Sequence, residues 1–371
     1  MVQARDIEDR LKKVVISPEL SIADAIPVLD RAGWGVLLLC DAQRKLLGVV
    51  TDGDVRRAVM RGISFDQPCL SIASTQPIVA YAKASAEMPG AAPAISAADA
   101  LQIMDHSHSF LVNQLPVVDE QGQVVDLIMR SDLVAQSDLG VSAVIMAGGF
   151  GKRLQPLTED LPKPMLPVGD RPLMERMIEH LRQSGIQQVN ITTHYLSEKI
   201  AEHFGDGDAW GVKINYVTED RPLGTAGALN LLPNPDQPLL VVNGDILTNL
   251  DFRALMAYHQ KNGADLTVAV RQYSLQVPYG VLECEGVRVL QVREKPRYTF
   301  LVNAGVYLLQ PAVLAYIPSG QRFDMTDLIE SLIQAGRLVC NFPIVEYWLD
   351  IGQLEDYQQA KKDMESGRLG S

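Results

Sequence analysis

Between Val144 and Val242 the chain alternates strand-forming runs with segments of helical periodicity, and this alternation constrains its fold more than any other feature. The runs Val144–Met146, Val189–Thr193, Ile214–Val217 and Leu239–Val242 are separated by helical patterns at Leu173–Ser184, Ser197–Phe204 and Thr225–Leu232. Parallel strands need a crossover between them, so the pattern predicts βαβ units wound into a Rossmann-like, mixed and mainly parallel α/β sheet. Ligands of such sheets bind outside the carboxyl ends of the strands. The loops that follow these strands are therefore where chemistry is expected.

The first of those loops suits an anion. Val144-Ile145-Met146-Ala147 empties into Gly148-Gly149-Phe150-Gly151, with Lys152 and Arg153 directly behind. Glycine permits φ > 0 and close ligand approach, the bare N–H groups can face a phosphate, and the basic side chains add charge. Two familiar glycine loops are excluded. A dinucleotide fingerprint needs a third glycine where Leu154 stands, and a P-loop needs a hydroxyl residue where Arg153 stands. The positive charge must also be local. The 371 residues hold 33 Lys plus Arg against 45 Asp plus Glu, a net −12 that disfavours nucleic-acid or anionic-membrane partners.

Three further stretches supply complementary groups. Glu219-Asp-Arg-Pro-Leu-Gly224-Thr225-Ala-Gly227 can pass flat against a base, with Glu219 offering acceptors only. Guanine presents two adjacent donors that one carboxylate can satisfy, whereas uracil or thymine adds a carbonyl that wants a donor such as Gln; a solvated loop carboxylate is the plainer alternative. Leu239-Leu-Val-Val-Asn243-Gly244-Asp245 ends a strand in a carboxylate, and Tyr347-Trp348-Leu349-Asp350-Ile351-Gly352 sets another beside glycine. Mg²⁺ uses one or two carboxylates and leaves its other positions to water and phosphate, which makes Asp245 and Asp350 candidate ligands; caps or loop salt bridges are the alternative. Glu294-Lys295-Pro296 and Asn303-Ala304-Gly305 add a carboxylate, an ammonium and an amide suited to a phosphorylated polyol.

The first 138 residues are organised differently, by an internal repeat. Ser21-Ile-Ala-Asp24 is echoed by Ser96-Ala-Ala-Asp99, with Asp24 and Asp99 standing 75 positions apart. Asp41 to Asp54 is echoed by Asp119 to Asp132, Asp54 and Asp132 standing 78 apart. Duplication accounts for this order, and each copy reads as capped helix, strand, turn, strand, helix. Ser21 and Ser96 are the expected N-caps, and Ile22, Ile26 and Leu29 form a core face. Pro27 would break a mid-helix hydrogen bond, so a kink or a late helix start is expected there. Leu115–Asp119 and Val124–Met129 read as a hairpin, and Pro77 to Pro93 as the looser connection between copies. A polar stretch, Ala135 to Gly140, separates the halves and is the expected route for any coupling between them. The start shows no apolar leader segment, no run approaches the ~18 apolar residues of a membrane span, and Cys40, Cys69, Cys284 and Cys340 have no metal or redox spacing. A cytoplasmic protein with reduced thiols is expected.

The repeat resembles a tandem pair of CBS domains, at about 14–63 and 66–135 within residues 1–138. The family's ligand-facing pattern stands intact as Gly48-Val-Val-Thr51-Asp-Gly-Asp54, which implies Thr51 near a phosphate or ribose and Asp54 on ribose hydroxyls of an adenine or guanine nucleotide. In the second copy Asp126 and Met129 replace the Gly and Thr, leaving Asp132 as the matching polar residue.

Within the second domain, residues 139–371, the segment from Ser142 to about Lys362 resembles the nucleoside-diphosphate-sugar pyrophosphorylases, or sugar-1-phosphate nucleotidyltransferases. The matched elements are Gly148-Gly149-x-Gly151-x-Arg153, Pro162-Lys163-Pro164, Pro222-Leu-Gly-Thr-Ala-Gly227, Asn243-Gly-Asp245, Tyr279-Gly280, Glu294-Lys295-Pro296, Asn303-Ala-Gly305 and Trp348-Leu-Asp350-Ile-Gly352. With a CBS pair ahead, and with Asp324-Met-x-Asp327, the arrangement is similar to bacterial glucosamine-1-phosphate guanylyltransferases of legionaminic-acid synthesis. The resemblance implies a GT-A-like fold and transfer of a nucleotidyl group from an NTP, GTP first, to a sugar 1-phosphate, with Mg²⁺ as cofactor in a homo-oligomer. It implies Arg153 and Lys163 as catalytic; Gly148, Gly149, Gly151, Glu219, Gly224 and Thr225 around the nucleotide; Gly280, Glu294, Lys295, Asn303 and Gly305 around the sugar phosphate; and Asp245 and Asp350 on the metal. Uridylyl, thymidylyl and heptose- or mannose-1-phosphate guanylyl transfer remain alternatives, as does a non-catalytic nucleotide-sugar sensor.

Overall fold

In the computed structural model, which describes residues 4–82, 95–105, 112–133, 138–233 and 235–366, the strand that feeds the glycine loop lies inside a seven-stranded sheet. The order across the sheet is Lys213–Thr218, Gln188–Thr193, Ser142–Met146, Leu239–Asn243, Arg297–Leu309, Leu266–Gln276, Val339–Pro343. Neighbours pair in parallel except around Arg297–Leu309, which is antiparallel to both of its neighbours. Both faces are covered, so alternate residues of one strand enter two separate cores. Ala143, Ile145, Leu240 and Val242 join one, and Val144, Val241 and Tyr307 the other.

Strand order decides where a site can form. The chain runs outward from Ser142–Met146 through two βα units, then crosses back to place Leu239–Asn243 on the opposite side of that first strand. A crevice opens where the winding reverses, at the carboxyl ends of these two neighbours. Gly148 and Asp245 emerge from those two ends, and the Gly244 N–H donates to the Met146 carbonyl at 2.9 Å.

The helices Leu173–Gln183 and Ser197–Phe204 form where periodicity placed them. The third differs: the helix expected over Thr225–Leu232 is only Gly224–Gly227, continued by the 3₁₀ turn Ala228–Leu231. Beyond Val270 the strands Leu266–Gln276 and Arg297–Leu309 run on as a paired ribbon, and the hairpin of Val281–Glu285 with Arg288–Arg293 continues it with its side chains largely exposed. No helix among the described residues is long and apolar enough to cross a membrane, and all four cysteines are free.

Each copy of the N-terminal repeat builds the same three-stranded unit. Val36–Cys40 pairs antiparallel with Leu46–Thr51 and parallel with Val15–Ile16; Gln114–Val118 pairs antiparallel with Val124–Met129 and parallel with Ala80–Tyr81. Both hairpins carry a register shift at the corresponding place, Leu39/Cys40 and Val117/Val118. Ser21 and Ser96 hydroxyls accept from the amides of Asp24 and Asp99, each at 3.1 Å. The helix Ile22–Ala32 continues through Pro27, so no late start occurs. Ala23, whose carbonyl Pro27 leaves without a helical donor, is exposed, and water can satisfy it. The expected looser connection falls largely on 83–94, and the polar junction on 134–137, outside the described residues.

The first copy also docks sideways onto the C-terminal half. Val345 joins the core of Ile22, Leu29, Leu37 and Val55, and the buried Arg56 pairs with the buried Glu346. Asp52 faces this junction. Burial first, then the Glu346, Asp251 and Asp30 carboxylates, push its carboxyl up to about 7, against the pull of Arg56. An unfolded Asp titrates near ~3.9. Between about pH 4 and 7 the unfolded chain therefore holds fewer protons at this position than the folded one, and stability falls as pH rises through that window. Asp52→Asn removes this loss: its melting temperature should exceed wild type by an increment that widens from pH 5 to pH 7 and then levels. Parallel melting curves across that range would refute the assignment.

Candidate active site

The glycine loop is shaped by what lies against it. A methyl on Gly148 would stand 2.6 Å from Glu219 Oε1, so the loop and the Glu219 side chain can touch only without a Cβ at that position. Gly151 has a φ of +62°, and a Cβ there would press on Thr158 at 3.0 Å; the Thr158 hydroxyl donates to the Gly151 carbonyl at 2.8 Å. Gly149 meets nothing within 4 Å. It faces open space, where a ligand can approach the backbone.

Charge gathers beside this loop. Lys163, in the 3₁₀ turn Lys163–Met165 that follows Pro162, forms an ion pair with Asp245. Asp350 ends the strand Trp348–Asp350, which pairs antiparallel with Ile246–Thr248 so that Asp350 sits opposite Ile246, the residue after Asp245. Burial, then Asp245, raise the Asp350 carboxyl above the ordinary Asp range, with Lys163 and Arg153 opposing the shift. The exposed Arg153 reaches this corner too, its Nη1 standing 3.7 Å from where a Gly352 Cβ would be. The described residues contain no cluster of three or more His, Cys, Asp or Glu fit for a metal. What they hold is a pair of hard oxygen donors beside a phosphate-directed loop. That set suits a Mg²⁺ ion that keeps several waters and takes phosphate oxygens, and it suits a closed protein cage poorly.

Glu219 is buried, with its Oε2 accepting from the Leu223 N–H at 2.8 Å. Burial raises its carboxyl above the usual range, and the Leu223 hydrogen bond and His194 work the other way. His194 Nδ1 donates to the Glu219 carbonyl at 2.8 Å, so the residue is held through both side chain and backbone. Gly224 and Thr225 are bound to a distant helix instead. The Thr225 amide donates to Asp324 Oδ1 at 3.0 Å and its hydroxyl accepts from the Met325 amide at 2.9 Å. Asp324 also accounts for Gly224, which has a φ of +81° and would set a Cβ 2.6 Å from Asp324 Oδ1 and 2.7 Å from the Phe323 carbonyl.

The sugar-side residues fall into two groups. Asn303 Oδ1 accepts from the Gly305 amide at 3.0 Å and its Nδ2 donates to the Tyr307 hydroxyl at 2.9 Å. A Cβ on Gly305 would meet Asn243 Nδ2 at 2.7 Å, which ties this pair to the strand that delivers Asp245. Gly280 and Glu294 adjoin each other, 3.1 Å separating Glu294 Oε2 from a Cβ on Gly280. Both lie with Lys295, at a φ of +43°, on the exposed ribbon.

In the CBS-like half, the Asp54 carboxylate accepts from the Thr51 amide at 2.8 Å and hydroxyl at 2.7 Å and pairs with Arg57 at 2.5 Å. Thr51 and Asp54 thus cap the helix Asp52–Met60. Asp132 pairs with Arg10 at 2.8 Å.

The Nucleotidyl transferase family matches residues 142–367, and the CBS domain family matches 4–61 and 74–137. The chain belongs to the nucleotidyl transferase family. It is 34% identical over 241 residues to a UTP–glucose-1-phosphate uridylyltransferase of Synechocystis, covering 59% of this chain and 62% of that protein. To a mannose-1-phosphate guanylyltransferase of Mycobacterium tuberculosis it is 32% identical over 235 residues, covering 61% and 65%. To a D-glycero-alpha-D-manno-heptose 1-phosphate guanylyltransferase of Aneurinibacillus thermoaerophilus it is 31% identical over 229 residues, covering 61% and 99%. The chain thus spans a little under two thirds of the first two relatives. Nucleotidyltransferases of this family generally use a divalent metal.

Sequence reasoning gave no role to several residues that shape this candidate site: Thr158 behind Gly151, His194 behind Glu219, and Tyr307 on Asn303. None lies in a glycine-marked motif, apart from Tyr307, which follows Asn303-Ala-Gly305. The glycine environments yield a direct test. Gly224→Ala should lower stability by roughly 1–3 kcal/mol through left-handed strain and the Asp324 clash, whereas Gly149→Ala should stay within about 0.5 kcal/mol of wild type. Denaturant unfolding of the two variants checks the contrast, and equal midpoints would contradict this account of the loops.

Proposed function

We propose that this chain transfers a nucleotidyl group from an NTP, GTP first among them, to the phosphate of a sugar 1-phosphate, yielding an NDP-sugar and pyrophosphate. The observation that carries the reading is the convergence of Lys163, Asp245, Asp350 and Arg153 beside the glycine loop, at the reversal point of the sheet. An ammonium, two carboxylates and a planar guanidinium around an anion-directed backbone suit in-line phosphoryl transfer. Such a reaction needs alignment and charge neutralisation and no covalent intermediate on the protein.

Gly148, Gly149 and Gly151 would cradle the nucleotide phosphates. Lys163 would neutralise charge on the α-phosphate, and Arg153, planar and multiply donating, would stabilise the departing pyrophosphate. Asp245 and Asp350 would hold Mg²⁺, which would supply Lewis-acid charge to the reacting phosphates. Gly224 and Thr225 would shape the base loop from beneath, since their contacts run to Asp324 and Met325. Gly280, Glu294, Lys295, Asn303 and Gly305 would hold the sugar phosphate, glucosamine 1-phosphate being the first candidate. The same reading includes a cytoplasmic homo-oligomer whose CBS pair takes an adenine or guanine nucleotide through Thr51, Asp54 and Asp132.

The preference for GTP is supported by Glu219. With Oε2 held by the Leu223 amide, Oε1 is left to accept from the two adjacent donors of guanine. Two of the three relatives described are named guanylyltransferases. Glu219→Gln keeps an acceptor for Leu223 and replaces the other oxygen by a donor, so the ratio of GTP to UTP turnover should fall at least about tenfold. An unchanged ratio sinks the base assignment.

Pyrophosphate release measured with four NTPs and with glucosamine, glucose, mannose and heptose 1-phosphates tests the activity itself. Release with no such pair overturns the reading. Asp245→Ala should lower turnover by about 10²-fold or more while leaving the melting temperature near wild type.

A further inference from the structure

The two carboxylates assigned to the metal do not sit on the main sheet. They lie at one end of a separate two-stranded ladder, Ile246–Thr248 against Trp348–Asp350, closed at that end by the Ile351 amide donating to the Asp245 carbonyl at 3.0 Å. At the other end the Tyr347 carbonyl accepts from the Asn249 amide at 3.0 Å and from the Thr248 hydroxyl at 2.9 Å. What holds Tyr347 comes from the opposite half of the chain. Its amide donates to Asp30 Oδ1 at 2.8 Å, a contact that spans 317 positions of sequence. The preceding residue, Glu346, takes the Arg56 guanidinium, while Arg56 Nε donates to the Pro343 carbonyl at 3.1 Å and its plane lies 4.4 Å from the Phe342 ring centroid. Arg271 completes the fixture from within the catalytic half, donating to the Glu346 carbonyl at 2.8 Å. Three residues, about 10 Å of extended chain, separate the Tyr347 amide from Asp350.

We infer that Asp30 and Arg56 of the first CBS copy are positioning residues for the Asp245/Asp350 pair, holding the far end of the ladder so that the two carboxylates stay in register. This inference rests on the metal reading above. The ladder also has anchors of its own, the Trp348 indole on the Ala304 carbonyl at 2.9 Å and the Tyr347 hydroxyl on Asp363 at 2.9 Å. Losing the CBS contacts therefore loosens the carboxylates without unfolding the strand. Asp30 discriminates between packing and hydrogen bonding: Asn keeps the acceptor that Asp30 offers the Tyr347 amide, whereas Ala removes it.

The test is Mn²⁺ binding to the full-length chain, read from the loss of the free-ion paramagnetic resonance signal, alongside thermal melting and the Mg²⁺ dependence of pyrophosphate release. Asp30→Ala should weaken Mn²⁺ binding about tenfold, the lower end of what losing a supporting partner of a metal ligand costs, with Asp30→Asn within about twofold of wild type. Arg56→Met provides a second arm, with the same weakening expected, should Asp30→Ala fail to fold. Wild-type Mn²⁺ affinity in Asp30→Ala or Arg56→Met, with binding lost in Asp245→Ala, overturns the inference and leaves the metal reading standing. Equal weakening in Asp30→Ala and Asp30→Asn assigns the effect to packing and also overturns it. Wild-type Mn²⁺ affinity in Asp245→Ala overturns the metal reading, and the inference with it.

Discussion

Everything at this site depends on one adjacency: the parallel pairing of Ser142–Met146 with Leu239–Asn243 across the point where the winding of the sheet reverses. Because the neighbours run the same way, both loops leave from the same edge, and neither crossover helix covers the gap between them. The glycine loop and the Asp245 turn therefore share a wall, joined by the Gly244 amide on the Met146 carbonyl. A Cβ on Gly244 would stand 2.7 Å from that carbonyl, so the turn tolerates no side chain while the strands stay paired. The site is a product of strand order first and of side-chain chemistry second.

The second constraint is electrostatic. Arg56 and Glu346 meet at a junction where both are nearly excluded from solvent, with side chains 6% and 10% exposed. Desolvating two charges offsets much of their attraction, so the pair adds little net stability, yet removing one partner strands the other at a cost of about 3–5 kcal/mol. Such a contact specifies an arrangement more than it strengthens one. Here it selects one docking of the first CBS copy against the strand that leads to Asp350.

The strands and the glycine loops were legible because their signals are local. An apolar run needs only its own residues to read as a buried strand, and a glycine at φ > 0 advertises a turn whatever lies nearby. Thr225–Leu232 was misread as a full helix, and the contacts that hold its first turn come from Asp324 and Phe323, about a hundred positions away, which accept from the amides of Thr225, Ala226 and Gly227. Arg56 was illegible for the same reason. Beside Arg57 it looks like one of two solvated cations on a short helix, and its partners Phe342, Pro343 and Glu346, about 290 positions distant, separate the buried residue from the exposed one. The linker drew attention as the coupling route because it is where the halves join in sequence. Among the described residues, close contacts between them also run from the helices Ile22–Ala32 and Asp52–Met60.

That nine-residue helix has two ends with different company. Its first turn is capped by Thr51 and Asp54, and Arg56, two positions past the capping box, reaches into the other half. A ligand that claims the Thr51 hydroxyl or the Asp54 carboxylate must draw on the same bonds that hold this turn. On the nucleotide reading proposed above, free energy spent moving the turn would bear on the grip of Arg56 on Glu346. Thermodynamic reciprocity would then run the other way, so that on the metal reading proposed above a cation held by Asp245 and Asp350 would alter the affinity for that ligand by the same factor. The molecule thus has the makings of a two-ended balance, in which the occupancy of either end can be read at the other.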